Sequence, residues 1–258
     1  MQGAYSGIRY LRHYMHASGA GGIHSPSIFR LYTEVIRERA WRRDPAYRQY
    51  LQDLKGSTAQ SVRKSRRKAQ DRQEAVSPAS DPYHSYGLNA ALLSKDLRLL
   101  YRISQHMQPA RILSLGTDAM APALAMQHGC PSAEVRVIRS WEDNFADGRP
   151  RQDGLAAAWA GQEVLLPDWL AHHESPDLVC LATGGDAAPL LDMAQVLLSR
   201  LHQHGLIVVR GIHLNRDMAY AWERITCFPE VTVSIDLFDA GIIFVSEDLG
   251  YMQYTLRY

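Results

Sequence analysis

Cysteine is scarce: Cys130, Cys180 and Cys227 are the only three in 258 residues, and they lie far apart. That spacing builds neither a disulfide framework nor a paired metal motif, so a reducing cytoplasm is the expected compartment. No apolar run approaches the ~18 residues of a transmembrane helix, and residues 1–16 lack the apolar core of a signal peptide. A charge excess is also missing. Lys and Arg total 28 against 27 Asp and Glu, a net charge of +1. Neither specific nucleic-acid binding nor a membrane surface is expected from that balance. No Gly-x-Ser-x-Gly elbow and no Gly-Lys-Ser/Thr phosphate loop occurs. His172-His173 and His202-x-His204 have no cysteine or carboxylate partners at ligand spacing, and the second pair falls at a helix end that favours histidine. No metal site is expected.

What the chain does have is a stretch from Pro109 to Met126, PARILSLGTDAMAPALAM. It reads as a buried strand over 110–115, a tight turn at Gly116-Thr117-Asp118, and an apolar helix. Unsatisfied N–H groups at such a helix start point at whatever binds there. Gly116 provides the positive φ or close approach the turn needs. The dinucleotide fingerprint G-x-G-x-x-G is met only at its first glycine.

Before this stretch the sequence is helical and then irregular. A short amphipathic helix is expected over 8–15, followed by a flexible Ser18-Gly19-Ala20-Gly21-Gly22. Ser25 before Pro26 predicts an N-cap with proline in the first turn of a helix running to about residue 40. A second amphipathic piece is expected over 45–54. Segment 62–72 (VRKSRRKAQDR) holds six basic residues without interleaved aromatics, which fits a solvated helix face leading into a linker. The Ser/Pro-rich stretch 73–85 reads as a loop. It divides an N-terminal helical extension and linker, 1–85, from a main domain, 86–258. A helix over 89–108 opens that domain.

From residue 109 short apolar strands alternate with helices. Strands are expected over 111–115, 134–138, 178–181 and 206–209, with a weaker one over 162–166. Helices are expected over 121–128, 154–160 and 188–204, the last capped by Gly205. This alternation means a parallel sheet covered on both faces, with right-handed crossovers. A helix over 215–226 follows. Strands over 231–238 and 241–245 form a hairpin through Asp239-Ala240, and a last strand covers 252–257.

Four stretches carry a family resemblance: His24-Ser25-Pro26-Ser27-Ile28-Phe29; Arg111-Ile112-Leu113-Ser114-Leu115-Gly116-Thr117; Ile212-His213 with Met218 and Ala221-Trp222-Glu223; and the tail from Val231 to Tyr258. In these the chain resembles the class I S-adenosylmethionine (SAM)-dependent methyltransferases, and among them a subgroup of small predicted methyltransferases with an HSP-type segment. The resemblance implies a Rossmann-like α/β fold, a mostly parallel sheet with an antiparallel C-terminal hairpin. It implies SAM as cofactor, held around Ser114, Gly116, Thr117, Asp118, Arg139, Ser140, Ala182 and Thr183. It also implies His213, after the fifth strand, as a general base over the methyl donor.

The departures fall on the site. Ser114 stands where the family has an acid that organises the methionine end. Arg139 stands where an acid accepts the ribose hydroxyls, and a guanidinium offers five donors and no acceptor. Ala182 and Arg210-Gly211 replace further acids, and Asp81 and Ser85 are what remains of an upstream acidic segment. Three functions are consistent with this: a non-catalytic binding or regulatory relative with a degenerate SAM site, which the residues favour; an active methyltransferase acting on a small acceptor through an atypical site; and a binder of another anionic ligand, drawn by Arg139 and Arg210 at the strand ends. The expected partner is a small molecule or a protein.

Overall fold

Each central strand alternates its side chains between two apolar layers, and that alternation fixes the architecture. Ile112, Val135, Val137, Leu178, Cys180, Leu206 and Val208 enter one buried cluster. Their neighbours Leu113, Leu115, Ile138, Val179, Leu181, Ile207 and Val209 enter the other. A strand apolar on both faces is stable only with helices on both sides. The computed structural model, which describes residues 2–38, 45, 47–49, 95–138, 162–163 and 175–258, has that arrangement.

The elements run α1 (Gln2–His16), α2 (Pro26–Arg30) continuing as a π-helical turn over Leu31–Ile36, α3 (Lys95–Met107), β1 (Arg111–Leu115), α4 (Met120–Gly129), β2 (Glu134–Ile138), β3 (Gln162–Glu163), β4 (Leu178–Leu181), α5 (Ala188–Leu198), β5 (Leu206–Arg210), α6 (Arg216–Ile225), β6 (Val233–Asp236), β7 (Ala240–Phe244) and β8 (Met252–Thr255). The sheet order is β3-β2-β1-β4-β5-β7-β6-β8. Strands β1 to β5 pair in parallel, and β7 runs antiparallel to both β5 and β6. This is a Rossmann-like class I methyltransferase fold, a mostly parallel sheet with an antiparallel C-terminal hairpin. An eighth strand adds to it: β8 pairs parallel with β6.

The N-terminal segment is tied to that last strand. Ser18 N–H donates to Thr255 O at 2.8 Å, and Arg257 N–H donates to Ser18 O at 3.1 Å. Ile23, Ile28, Tyr32, Val35 and Ile36 share one core with Leu97, Tyr101, Ile235 and Leu256. Residues 85 and 86, where the sequence divides the chain, lie outside the described residues. So do the basic segment 62–72, the helix expected over 154–160, and most of the one expected over 45–54.

Two local expectations need correction. Ser25 precedes α2 as its N-cap, but its hydroxyl makes no capping hydrogen bond. The helix expected over 188–204 ends at Leu198, and Gly205 is not its cap. Buried Leu201 and the bond from His202 N–H to Pro176 O, 2.9 Å, pull the chain away from the helix axis before Gly205. By contrast, α6 is capped by Asn215, whose side chain accepts Met218 N–H at 2.7 Å. Among the described residues no helix is long and apolar enough to cross a membrane.

Candidate functional site

In an open α/β sheet, ligands bind outside the carboxyl ends of the strands, where neighbouring connections diverge. Here that edge is built from the turns after β1, β4 and β5, with Asp236 and the turn after β6 alongside. Among the described residues of this edge, Ser114, the Asp118 N–H and Arg210 are bonded to the protein itself.

Ser114 is fully buried on β1 and points beneath the start of α4. Its hydroxyl donates to Ala119 O at 2.7 Å. It braces the turn and presents nothing to a ligand. Gly116 holds φ at +110°, and a Cβ there would overlap the Ala182 carbonyl and lie 3.0 Å from Thr183 N. The glycine therefore admits the exit of β4, not a ligand. Two hydrogen bonds continue this contact: Ala182 N–H donates to Leu115 O at 2.7 Å, and Asp118 N–H donates to Ala182 O at 2.9 Å. The Asp118 N–H, two residues before the helix start, is spent inside the chain. Thr117 is exposed and the Asp118 side chain half-buried. Gly184, at φ +67°, passes close enough that a Cβ would sit 2.8 Å from Thr117 Oγ1. Ala182 is buried, and the buried Thr183 hydroxyl donates to Met218 Sδ at 3.7 Å. Arg139 and Ser140 lie outside the described residues.

Arg210, at the end of β5, does not offer a cation to the cleft. Its Nε donates to Asp96 Oδ2 in a very short ion pair with the first turn of α3. Burial works against its charge, yet Asp96 more than offsets this and holds the guanidinium above its ordinary pKa. The neighbouring Cys180 thiol is pushed up to about 12, chiefly by burial, and is not a thiolate at neutral pH.

His213 is held on one side. Its Nε2 lies 2.7 Å from Asp236 Oδ2, while His13 Nε2 of α1 lies 3.0 Å from Oδ1 of the same carboxylate. Phe238 N–H also donates to Oδ1 at 2.8 Å. An ionised carboxylate only accepts, so both imidazoles carry hydrogen on Nε2. His213 Nδ1 is buried and finds no hydrogen-bond partner. The Phe238 ring packs against both imidazoles, 5.4 Å from His13 and 5.2 Å from His213. Burial alone would raise the Asp236 pKa. Hydrogen bonds from His13 and His213 and the Phe238 N–H reverse that and hold it well below the ordinary carboxylate range.

That depression has a testable sign. A carboxyl whose folded pKa lies below its unfolded value of about 3.9 contributes stability above that pH, and loses the contribution as pH falls through the folded value. Asp236→Asn is therefore expected to lower stability by about 1–3 kcal/mol at pH 7, with the deficit shrinking below about pH 4. Urea unfolding of both proteins at several pH values measures it, and a deficit that stays constant down to low pH would contradict the clasp.

The sequence did not single out Asp96, Asp236 or His13. Asp96 carries a usable signal, since it falls on the apolar face of α3 with Leu100 and Ile103, where a charge requires an internal partner. The His24-Ser25-Pro26 segment borders a recess of about 390 Å³ that Phe29, Arg30 and Glu34 also line. Among the described residues no group of three His, Cys, Asp or Glu side chains is arranged to hold a metal.

No protein-family model matches the chain, and no curated protein matches it. Solved structures do. The SAH-bound methyltransferase PaMTH1 of Podospora anserina is 15% identical, with 62% of this chain and 83% of that one covered at a TM-score of 0.46. The O-methyltransferase of Bacillus cereus in complex with SAH is 13% identical, with 84% and 96% covered at 0.43. The O-methyltransferase TomG of Streptomyces achromogenes, in complex with SAM, is 16% identical, with 58% and 79% covered at 0.43. The assignment of the fold rests on the strand order given above.

Proposed function

We propose that this protein is a methyltransferase-fold binding or regulatory subunit that has given up SAM as a cofactor. One observation carries the reading. At the described positions where the resemblance calls for cofactor contacts, buried polar groups are turned inward and satisfied by the chain itself: Ser114 by Ala119 O, the Asp118 N–H by Ala182 O, and Arg210 by Asp96. SAM needs carboxylate acceptors for its ribose hydroxyls and its ammonium group. Among the described residues Asp96 and Asp236, the acids beside Arg210 and His213, are already paired. Among the described residues these paired groups do not fit the cofactor, and no chemical step is derived through it.

A second reading has its own support. His213 is oriented by Asp236, and its Nδ1 lone pair is unsatisfied. Buried polar atoms without partners are uncommon and often mark chemistry. An oriented imidazole with a spare lone pair suits a general base for an O- or N-methyl acceptor, and methyl transfer asks mainly for proximity and alignment. Calorimetric titration with S-adenosylhomocysteine separates the two. The first reading expects no heat of binding at millimolar ligand, and the second expects saturable binding.

A further inference from the structure

The apolar stripe of α1 faces the wrong way for a helix whose only task is to pack on this fold. Ile8, Leu11 and Met15 follow the i, i+3, i+7 spacing of one helix face, yet they are 73%, 59% and 65% exposed. The polar side of the helix is the one that docks. His13 meets Asp236, and Arg9 reaches Glu223 at 3.9 Å. Tyr10 packs edge-on against Phe238 with ring centroids 5.0 Å apart. Surface helices normally bury the apolar stripe and expose the charges, and an exposed apolar helix face marks a contact surface.

The surroundings of the stripe identify what covers it. No aspartate or glutamate occurs in α1, which carries Arg9, Arg12, His13 and His16. Arg12 and His16 are exposed. The Arg257 guanidinium lies over the Tyr14 ring, 4.9 Å from its centroid, on the other flank. A second copy docked by the same face would bring like charges together with no acid from α1 to answer them, which disfavours self-association. Three aliphatic side chains bury a few hundred Å² at most, short of the about 800 Å² per partner of a stable protein interface. A bilayer demands no such area or matched shape. It accepts aliphatic side chains below the headgroups, tyrosines at headgroup level and cations beside anionic lipid. From this we infer that α1 is an interfacial helix that seats the protein on anionic membrane surfaces, with Ile8, Leu11 and Met15 inserted and Arg12, His16 and Arg257 facing the headgroups. The near-neutral charge of the whole chain conceals this local excess, because α1 itself carries no acid. The inference is independent of what the cleft binds.

Co-sedimentation of the full-length protein with vesicles tests it. Phosphatidylcholine vesicles containing about 30% phosphatidylserine should retain at least about tenfold more protein than phosphatidylcholine alone. Raising the salt to about 0.5 M should release most of it. Leu11→Glu and Met15→Glu should abolish retention with an unchanged melting temperature, because both side chains are solvent-exposed in the free protein. Arg12→Glu should weaken retention at low salt. Protein left in the supernatant with both vesicle types overturns the inference. So does retention that Leu11→Glu and Met15→Glu leave intact. A dimer in sedimentation velocity that Leu11→Glu dissociates would overturn it in favour of a self-interface.

Discussion

Asp96→Ala is expected to destabilise the fold by about 3–5 kcal/mol, the usual consequence of leaving a buried charge without its partner. Both side chains of the Asp96–Arg210 pair are largely buried, at 11% and 18% exposure. Arg210 continues β5, whose Val208 and Val209 are fully buried. Without Asp96 the guanidinium keeps its charge, since no accessible pH neutralises arginine. The double change Asp96→Leu with Arg210→Met should recover stability to within about 1 kcal/mol of the wild type, because a buried pair is often replaceable by well-packed apolar residues. Urea unfolding of the single and double variants decides the matter. If Asp96→Ala costs less than about 1 kcal/mol, as exposed pairs do, then Arg210 is solvated and open to a ligand. The anionic-ligand reading would then regain its cation.

The second large effect is expected at Gly116. Gly116→Ala should cost about 3 kcal/mol or more, from a positive φ that L-residues tolerate poorly together with overlap on the backbone of β4's exit. The colliding atoms belong to Ala182 and Thr183 main chain, so rotamer changes bring no relief. Gly7 provides the contrast. It sits in α1 with nothing within 4 Å of an added Cβ, so Gly7→Ala should stabilise by about 0.5–1 kcal/mol. Chemical denaturation of both variants reads the difference. A mild Gly116→Ala would mean that the β4 exit can move away, opening the space a cofactor would enter.

These two sites also show where a sequence is legible and where it is not. The strands over 111–115, 178–181 and 206–209 were readable because burial on both faces leaves short apolar runs, and the hairpin after residue 231 was readable from its turn. Gly116 was readable as a special position, because a glycine ending a buried strand signals unusual backbone. What occupies the space beside it was not, since that depends on Ala182, which pairs through the sheet and not through the chain. The same limit hid Arg210. It stands alone at a strand end, and its partner lies 114 residues earlier. His213 could be picked out beside β5, but the carboxylate that orients it belongs to β6 and the second imidazole to α1, 223 residues from Asp236. Periodicity reports which face a residue occupies. It does not report which distant side chain meets it there.

The orientation of α1 was missed for a related reason. Its spacing predicts an amphipathic helix over 8–15 and says nothing about which face docks. The inversion follows from Asp236, a charge inside a buried strand that draws His13 inward and turns Ile8, Leu11 and Met15 to solvent.

The most direct test of the account is a thermal-shift titration of the purified protein with SAM and S-adenosylhomocysteine. A ligand held at about 100 times its dissociation constant stabilises the folded state by about 2.7 kcal/mol. For a chain of this size that corresponds to a shift of roughly 5–10 °C. A site whose buried polar groups are satisfied from within predicts no shift with either compound at millimolar concentration. A saturable rise of 5 °C or more, about what a bound cofactor gives, would contradict the account and return His213 to the role of a working base.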